Sequence, residues 1–287
     1  MELGNFSGSD VLVVRKSIAN LSITDTKTVN DFILEYVNLS RLNHPNIIHI
    51  IGGSYDKISP YIIQEYAPYG SLFEVLKDKI VMPDISAELC TRIAKDIAKG
   101  LAYVHKKGII HRDVKSSNVM IFSSNPSEVC AKLGDFGSSK KMNKVMTIGV
   151  GTEKWMSPEV YNGEKYSYPS DVYSMGIVFW ELVTRKRPFE DEKSYEGLAK
   201  KMASGIALSF TKEECKKYND VCLVYNDCVK ITPSERLTSS QVYMKLSEER
   251  IPDPIVPRLK IGKSSSCNTS PRTKNNSFRC LKTFNQN

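Results

Sequence analysis

The chain has 287 residues, 41% hydrophobic and 25% charged, which is enough for one large domain or two lobes around a sizeable core and excludes collagenous, disordered or membrane-embedded readings of the whole. Most of the formal charge of +8 sits in residues 256–287, which hold seven Lys/Arg and no Asp or Glu and leave residues 1–255 at +1; the basic balance therefore does not describe a nucleic-acid-binding face on the folded part. Seven cysteines, an odd number without a Cys-x-x-Cys pair, read as reduced thiols of a cytoplasmic protein, and the spacings of Cys215, Cys222 and Cys228 match no common zinc motif.

The first residues lack the basic and apolar regions of a signal peptide. Val11–Val14 reads as a buried strand with Arg15 and Lys16 at its end. Residues 29–42 read as a helix with Phe32, Tyr36 and Leu39 on one stripe, ended before Pro45. Strand-like runs follow at about 47–54 and 60–66, and Pro68-Tyr69-Gly70 is a turn. From Ser71 the signal is mainly helical. Leu89, Ile93, Ile97, Leu101 and Val104 recur at spacings of three and four, which predicts a helix over 86–107. Short apolar runs at 119–122 and 130–133 suggest a hairpin around Asn125-Pro126. Helices are expected at about 170–184, 195–204, 220–230 and 238–248. The apolar run Tyr173–Val183, interrupted by Ser174 and Glu181, is too short to span a bilayer and reads as a buried helix. Residues 258–287 read as a basic, disordered tail.

Three groups suited to phosphoryl transfer from ATP occur in order. Asp113, in His111-Arg112-Asp113, can accept a hydroxyl proton. Asn118, five residues on, can hold Mg2+ through its amide oxygen, and Asp135 of Asp135-Phe136-Gly137 supplies a hard carboxylate oxygen for the same metal. With Ser157-Pro158-Glu159 downstream, the chain resembles the eukaryotic protein kinases over about residues 11–250.

The resemblance implies an α+β, bilobal fold: a small sheet-rich lobe with one helix over 1–66, a mainly helical lobe over 67–250, and the tail over 251–287. It implies ATP and Mg2+ as cofactors and a protein substrate as partner. Lys115 looks like the lysine of serine/threonine kinases that contacts the transferred phosphate. Gly151–Met156 and the Asp171–Gly176 helix start resemble the tyrosine-kinase-like group, whose members mostly phosphorylate Ser and Thr. Asp171 would brace the catalytic-loop backbone, and Glu159 would pair with Arg236. Glu35 has the spacing of the helix glutamate that pairs with a strand lysine. Lys16 is the favoured strand cation because alternation puts Val14 and Lys16 on one face, while a shifted register would use Arg15. Glu65 and Ala67, after Gln64, occupy the hinge that contacts adenine through its backbone. Met120 would floor the adenine site, and Leu39, His111 and Phe136 would be packing residues of the core spine. Thr147, between Asp135 and Glu159, is a candidate phosphorylation site with Arg112 as its partner.

The Gly-rich phosphate loop of the family is incomplete. Only Leu3–Gly8 is available, with Gly4 to Ser7 resembling the tip of such a loop and Gly8 just eight residues before Lys16. An active serine/threonine kinase in intracellular signalling and a pseudokinase scaffold both remain open. The tail is a candidate contact for acidic partners or anionic membrane, and a nucleic-acid role would rest on its seven basic residues alone.

Overall fold

The computed structural model describes residues 2–5, 12–17, 36–37, 39–54, 61–78, 80–136, 140–141, 153–192, 194–203 and 208–247. The chain divides into two units, Met1–Glu248 and Glu249–Asn287, and the second lies outside the described residues. Everything below concerns the first.

The smaller lobe is an antiparallel sheet of β1 (Glu2–Asn5), β2 (Leu12–Ser17), β3 (Ile50–Ser54) and β4 (Tyr61–Glu65), in the order β1-β2-β4-β3. β2 carries Arg15 and Lys16 near its end, as expected, and runs on to Ser17, while its Leu12 is 44% exposed. The reading of a buried strand is corrected: only Val13 is buried, Leu12 is exposed and Val14 to Ser17 are half-buried. Gly4 sits inside β1, opposite Val13. Its assignment to the tip of a phosphate loop is therefore corrected: a ladder position is extended backbone, and a loop tip is not. Of the expected 29–42 helix, residues 36–37 and 39–42 are described: Tyr36, Val37, Leu39 and Ser40 are helical, while Arg41 and Leu42 already lie beyond the helix, two residues earlier than expected.

The larger lobe is helical. A turn closed by Gly70 N–H to Ala67 O (3.0 Å) leads into α1 (Leu72–Lys77), whose Ser71–Glu74 capping box satisfies the first amides. α2 (Ala87–Lys106) starts where the Ser86 hydroxyl accepts Leu89 N–H at 3.1 Å, and it buries the predicted stripe Leu89, Ile93, Ile97, Leu101 and Val104. α3 (Pro158–Tyr161) is one turn. α4 (Tyr168–Thr184) buries nearly every residue from Ser170 to Val183, the mark of a helix enclosed on all sides. α5 (Tyr195–Ala203), α6 (Lys212–Lys217), α7 (Asn219–Cys228) and α8 (Ser239–Ser247) complete the described helices. Two short strand pairs complete the described strands: β5 (Ile109–Ile110) pairs with β8 (Lys140–Lys141), and β6 (Val119–Ile121) with β7 (Ala131–Leu133).

Two close approaches fix the packing. A Cβ on Gly100 would stand 2.6 Å from Asn46 O, so α2 meets the Asn46 backbone at a point where only glycine fits. A Cβ on Gly176 would stand 2.8 Å from Cys228 Cβ, which lets α4 lie directly on the end of α7. None of the described helices is long and apolar enough to cross a membrane.

Arg236 and Glu159 close the lobe. The guanidinium donates to both Glu159 oxygens at 2.7 Å and spends its remaining N–H groups on the carbonyls of Pro169, Lys230 and Ile231. Burial pushes the Glu159 carboxyl up, but the Arg236 hydrogen bonds and charge prevail and hold it below its ordinary value. Breaking such a pair strands a buried charge. Arg236→Met is expected to lose about 3–5 kcal/mol of unfolding free energy at pH 7 in urea titrations. Because the folded-state pKa of Glu159 is depressed, its contribution is present at neutral pH and fades as pH falls through that value, so the gap between variant and wild type should narrow in acid.

Candidate active site

The site is assembled on Asp171, in the first turn of α4 and fully buried. Its Oδ2 accepts His111 N–H at 2.7 Å and its Oδ1 accepts Arg112 N–H at 2.8 Å, so both oxygens hold the loop backbone. His105 Nε2 donates to Oδ2 as well, at 2.9 Å. Held this way, Arg112 adopts a left-handed φ of 69°, a conformation retained when surrounding contacts over-determine it. His111 Nε2 donates to Gly134 O at 3.1 Å, which makes Nδ1 the acceptor for Asp113 N–H at 3.4 Å. The His111 ring lies 4.5 Å from that of buried Phe136. These contacts tie the loop to the segment after β7.

A short 3-10 turn, Ser116–Asn118, folds the chain back on Asp113. Asn118 Nδ2 donates to Asp113 O at 2.8 Å and to Asp113 Oδ2 at 2.9 Å, and Lys115 Nζ stands 2.8 Å from the same Oδ2. The β6–β7 hairpin does the rest. Val119 pairs with Leu133, so Asn118 just before β6 and Asp135 just after β7 come out at the same end, joined by Gly134 N–H to Asn118 O at 2.9 Å. Asp96, buried on α2, pins the start of β7 by accepting Cys130 N–H at 2.7 Å and Ala131 N–H at 3.1 Å.

The two lobes meet across this end. Lys16 Nζ is 3.5 Å from Asp135 Oδ1. Arg15, one residue earlier and on the opposite face of β2, stacks 4.6 Å over the Tyr61 ring. Val14 shares the face of Lys16 and lines a cleft of about 530 Å³ with Gln64, Glu65, Ala67, Ser117 and Met120. The Glu65 carboxylate accepts His49 N–H at 2.7 Å and pairs with Lys132 at 2.5 Å, and the Glu65 N–H donates to His49 O at 3.1 Å. The Lys16–Asp135 pair and the Lys115–Asp113–Asn118 cluster are thus linked through the Gly134–Asn118 hydrogen bond, next in sequence to Ser117 of the cleft lining. Glu35, Gly137 and Thr147 lie outside the described residues.

Asn118 spends its amide nitrogen on Asp113, so its oxygen is the atom offered to a cation, with Asp135 beside it. Among the described residues no cluster of three or more His, Cys, Asp or Glu could hold a metal alone. This donor set suits Mg2+, which binds through one or two protein oxygens and completes its shell with phosphate oxygens and water.

One functional neighbour escaped the sequence reading. Glu181 interrupts the apolar run of α4, and its buried carboxylate accepts Ser116 Oγ–H at 2.8 Å and Trp155 Nε1–H at 2.7 Å. A lone acid within an otherwise apolar helix was the available signal, since a buried charge must find partners.

A bilobal molecule with an acid–lysine–amide cluster beside a nucleotide-sized cleft is the architecture of a phosphotransferase of the kinase type. The family described as the protein kinase domain matches residues 6–246, and the chain belongs to that family. It is 36% identical over 203 residues to a probable serine/threonine-protein kinase of Dictyostelium discoideum, covering 64% of this chain and 13% of that protein. A second such protein from the same organism is 33% identical over 235 residues, covering 78% and 24%. Human mitogen-activated protein kinase kinase kinase 7 is 35% identical over 179 residues, covering 61% and 29%. The matches thus take in between 13% and 29% of the length of these curated relatives.

Burial pushes the Glu181 carboxyl up to about 7, against the opposing pull of its Trp155 and Ser116 hydrogen bonds. The raised folded-state pKa means that the unfolded chain releases this proton first, so Glu181 costs stability as pH rises from the ordinary Glu value through about 7. Glu181→Gln should flatten that part of the stability profile, read as the wild-type-minus-variant difference in urea midpoints between pH 4.5 and 7.5.

Proposed function

We propose that the chain is a serine/threonine protein kinase domain that transfers the γ-phosphoryl group of ATP to protein hydroxyls in signalling. The observation that carries this reading is the pairing of Lys16 with Asp135 and of Lys115 and Asn118 with Asp113, in segments that adjoin Val14 and Ser117 of the cleft. Val14 and Met120 would enclose the adenine from the two lobes, with the Glu65–Ala67 backbone as its polar edge. Lys16 would meet the phosphates. Asn118 and Asp135 would hold Mg2+, which supplies positive charge against the phosphate oxygens when bound.

Asp113 orients and receives the proton of the incoming hydroxyl. Its Oδ2 is aligned by Asn118 and Lys115, and the lysine also places a positive charge where the transferred group gains negative charge. Lys115 at this position, together with relatives named as serine/threonine kinases, supports that specificity. The described cysteines Cys90, Cys130, Cys215, Cys222 and Cys228 are free thiols, in keeping with a cytoplasmic setting.

A second reading, a nucleotide-binding pseudokinase that acts as a scaffold, draws on Gly4 lying in β1 rather than at a phosphate-covering turn. Transfer of labelled phosphate from Mg-ATP to a general protein substrate separates the two. Asp113→Asn is expected to lower kcat by about a hundredfold or more while a nucleotide-induced thermal shift persists. Folded wild type that shows the shift and no transfer would replace the kinase reading with the scaffold one. Lys16→Ala should weaken both nucleotide binding and transfer by about tenfold or more, whereas Arg15→Ala, which removes the stacking on Tyr61 on the opposite face of β2, should leave both within about twofold.

A further inference from the structure

A second cleft of about 420 Å³ adjoins the first and shares Phe73 and Lys77 of α1 with it. Glu181 lies in its lining. That carboxylate holds Ser116, the neighbour of Lys115, whose ammonium contacts Asp113. The cleft is therefore continuous in its framework with both the nucleotide site and the catalytic loop.

Its other wall is the loop after α4. Arg185 donates to Val75 O at 2.8 Å, Met82 O at 2.8 Å and Pro83 O at 3.1 Å, which lashes the loop to α1 and the segment behind it. At the loop's far end Phe189 O accepts Lys154 Nζ at 2.7 Å, one residue from the Trp155 that Glu181 binds. Among the described residues four non-glycines have left-handed backbone: Arg112 and Asp135 at the active site, and Arg185 (φ 54°) and Phe189 (φ 47°) at the two ends of this loop. Strained backbone of this kind persists where a fixed geometry is being held. What the loop displays are the exposed Lys186 and Arg187, with the Arg187 guanidinium 5.1 Å from the Phe73 ring.

The cleft is lined by four cationic side chains, Lys77, Arg185, Lys186 and Arg187, against the carboxylates of Glu181 and Glu190. Glu181 is buried and hydrogen-bonded within the protein, so little of its charge opposes an entering anion. Lys77 and Lys186 are exposed and can turn toward a ligand without breaking the framework.

We propose that this cleft is a substrate subsite for an anionic side chain, a carboxylate or a phosphate lying a few residues from the acceptor hydroxyl, with Lys77, Lys186 and Arg187 as its contacts. The inference rests on the kinase reading and adds a substrate class to it, namely acidic or already phosphorylated segments. Arg187 offers a forked donor pair to either anion, and the two lysines add point charges that follow its position.

The test uses one acceptor-serine peptide series with Asp, Glu, phosphoserine, Ala or Lys at the flanking positions. Phosphate transfer and fluorescence-anisotropy binding are both measured for wild type, Lys186→Glu/Arg187→Glu and Lys77→Glu. Wild type should favour the acidic peptides over the Lys peptides by at least about tenfold in kcat/KM, mainly through KM, with binding that weakens as salt rises. The double reversal should invert that order, and Lys77→Glu should reduce it, with thermal melts like wild type. A phosphoserine peptide that exceeds the Asp and Glu peptides by tenfold identifies a primed substrate; equal rates identify a carboxylate one. Transfer that is indifferent to flanking charge, or equally selective in wild type and double variant, overturns the subsite and leaves the kinase reading standing. Absent transfer with acidic-peptide binding that the double variant loses does the reverse. Neither transfer nor selective binding sinks both.

Discussion

The catalytic end of the molecule depends on one buried carboxylate. Asp171 has no exposure, and its two oxygens are taken up by His111 N–H, Arg112 N–H and His105. Hydrogen bonds to a charged acceptor are about twice as strong as neutral ones, and here they reach main-chain atoms, so what they fix is the path of the loop. Their anchor is the first turn of α4, the helix buried on every side. The loop is thereby referenced to the part of the lobe least able to move. Asp113, Lys115 and Asn118 inherit their positions from that frame.

The same device recurs around the site. Among the described residues four carboxylates are buried, and each joins segments that are distant in sequence. Asp96 sets the start of β7 and hence the exit of Asp135. Glu181 joins Ser116 to Trp155. Glu159 joins α3 to Arg236 and, through Ser170 Oγ–H at 2.9 Å, to the start of α4. Apolar contact holds these elements together but is non-directional. The carboxylates add direction, and each would be costly to bury without the donors it has. Lys16 reaching Asp135 extends this framework to the smaller lobe, with a longer and more exposed contact.

Much of this was legible from residue order. The stripe over 86–107 appears as α2 within a residue at each end, and the runs at 119–122 and 130–133 appear as the β6–β7 hairpin. Periodicity works there because the pattern and the element have the same period. The short elements β1, β5, β8 and α6 carried no such pattern. Two-residue strands such as β5 and β8 exist because a distant partner supplies the ladder, and nothing local announces them.

By itself the sequence determined the class of molecule: the long helices, the hairpin, and the set Asp113, Lys115, Asn118 and Asp135, whose identities and spacing are local facts. Tertiary structure decided what depends on facing. It put Lys16 toward Asp135 and Arg15 on Tyr61, because the register of β2 against β4 sends neighbouring side chains to opposite faces. It placed Gly4 in a ladder instead of a loop tip, because β1 found β2. It turned Glu181 from an interruption in an apolar run into the link between the catalytic loop and the adjoining cleft, since a buried charge acquires its meaning only from the donors that folding brings to it.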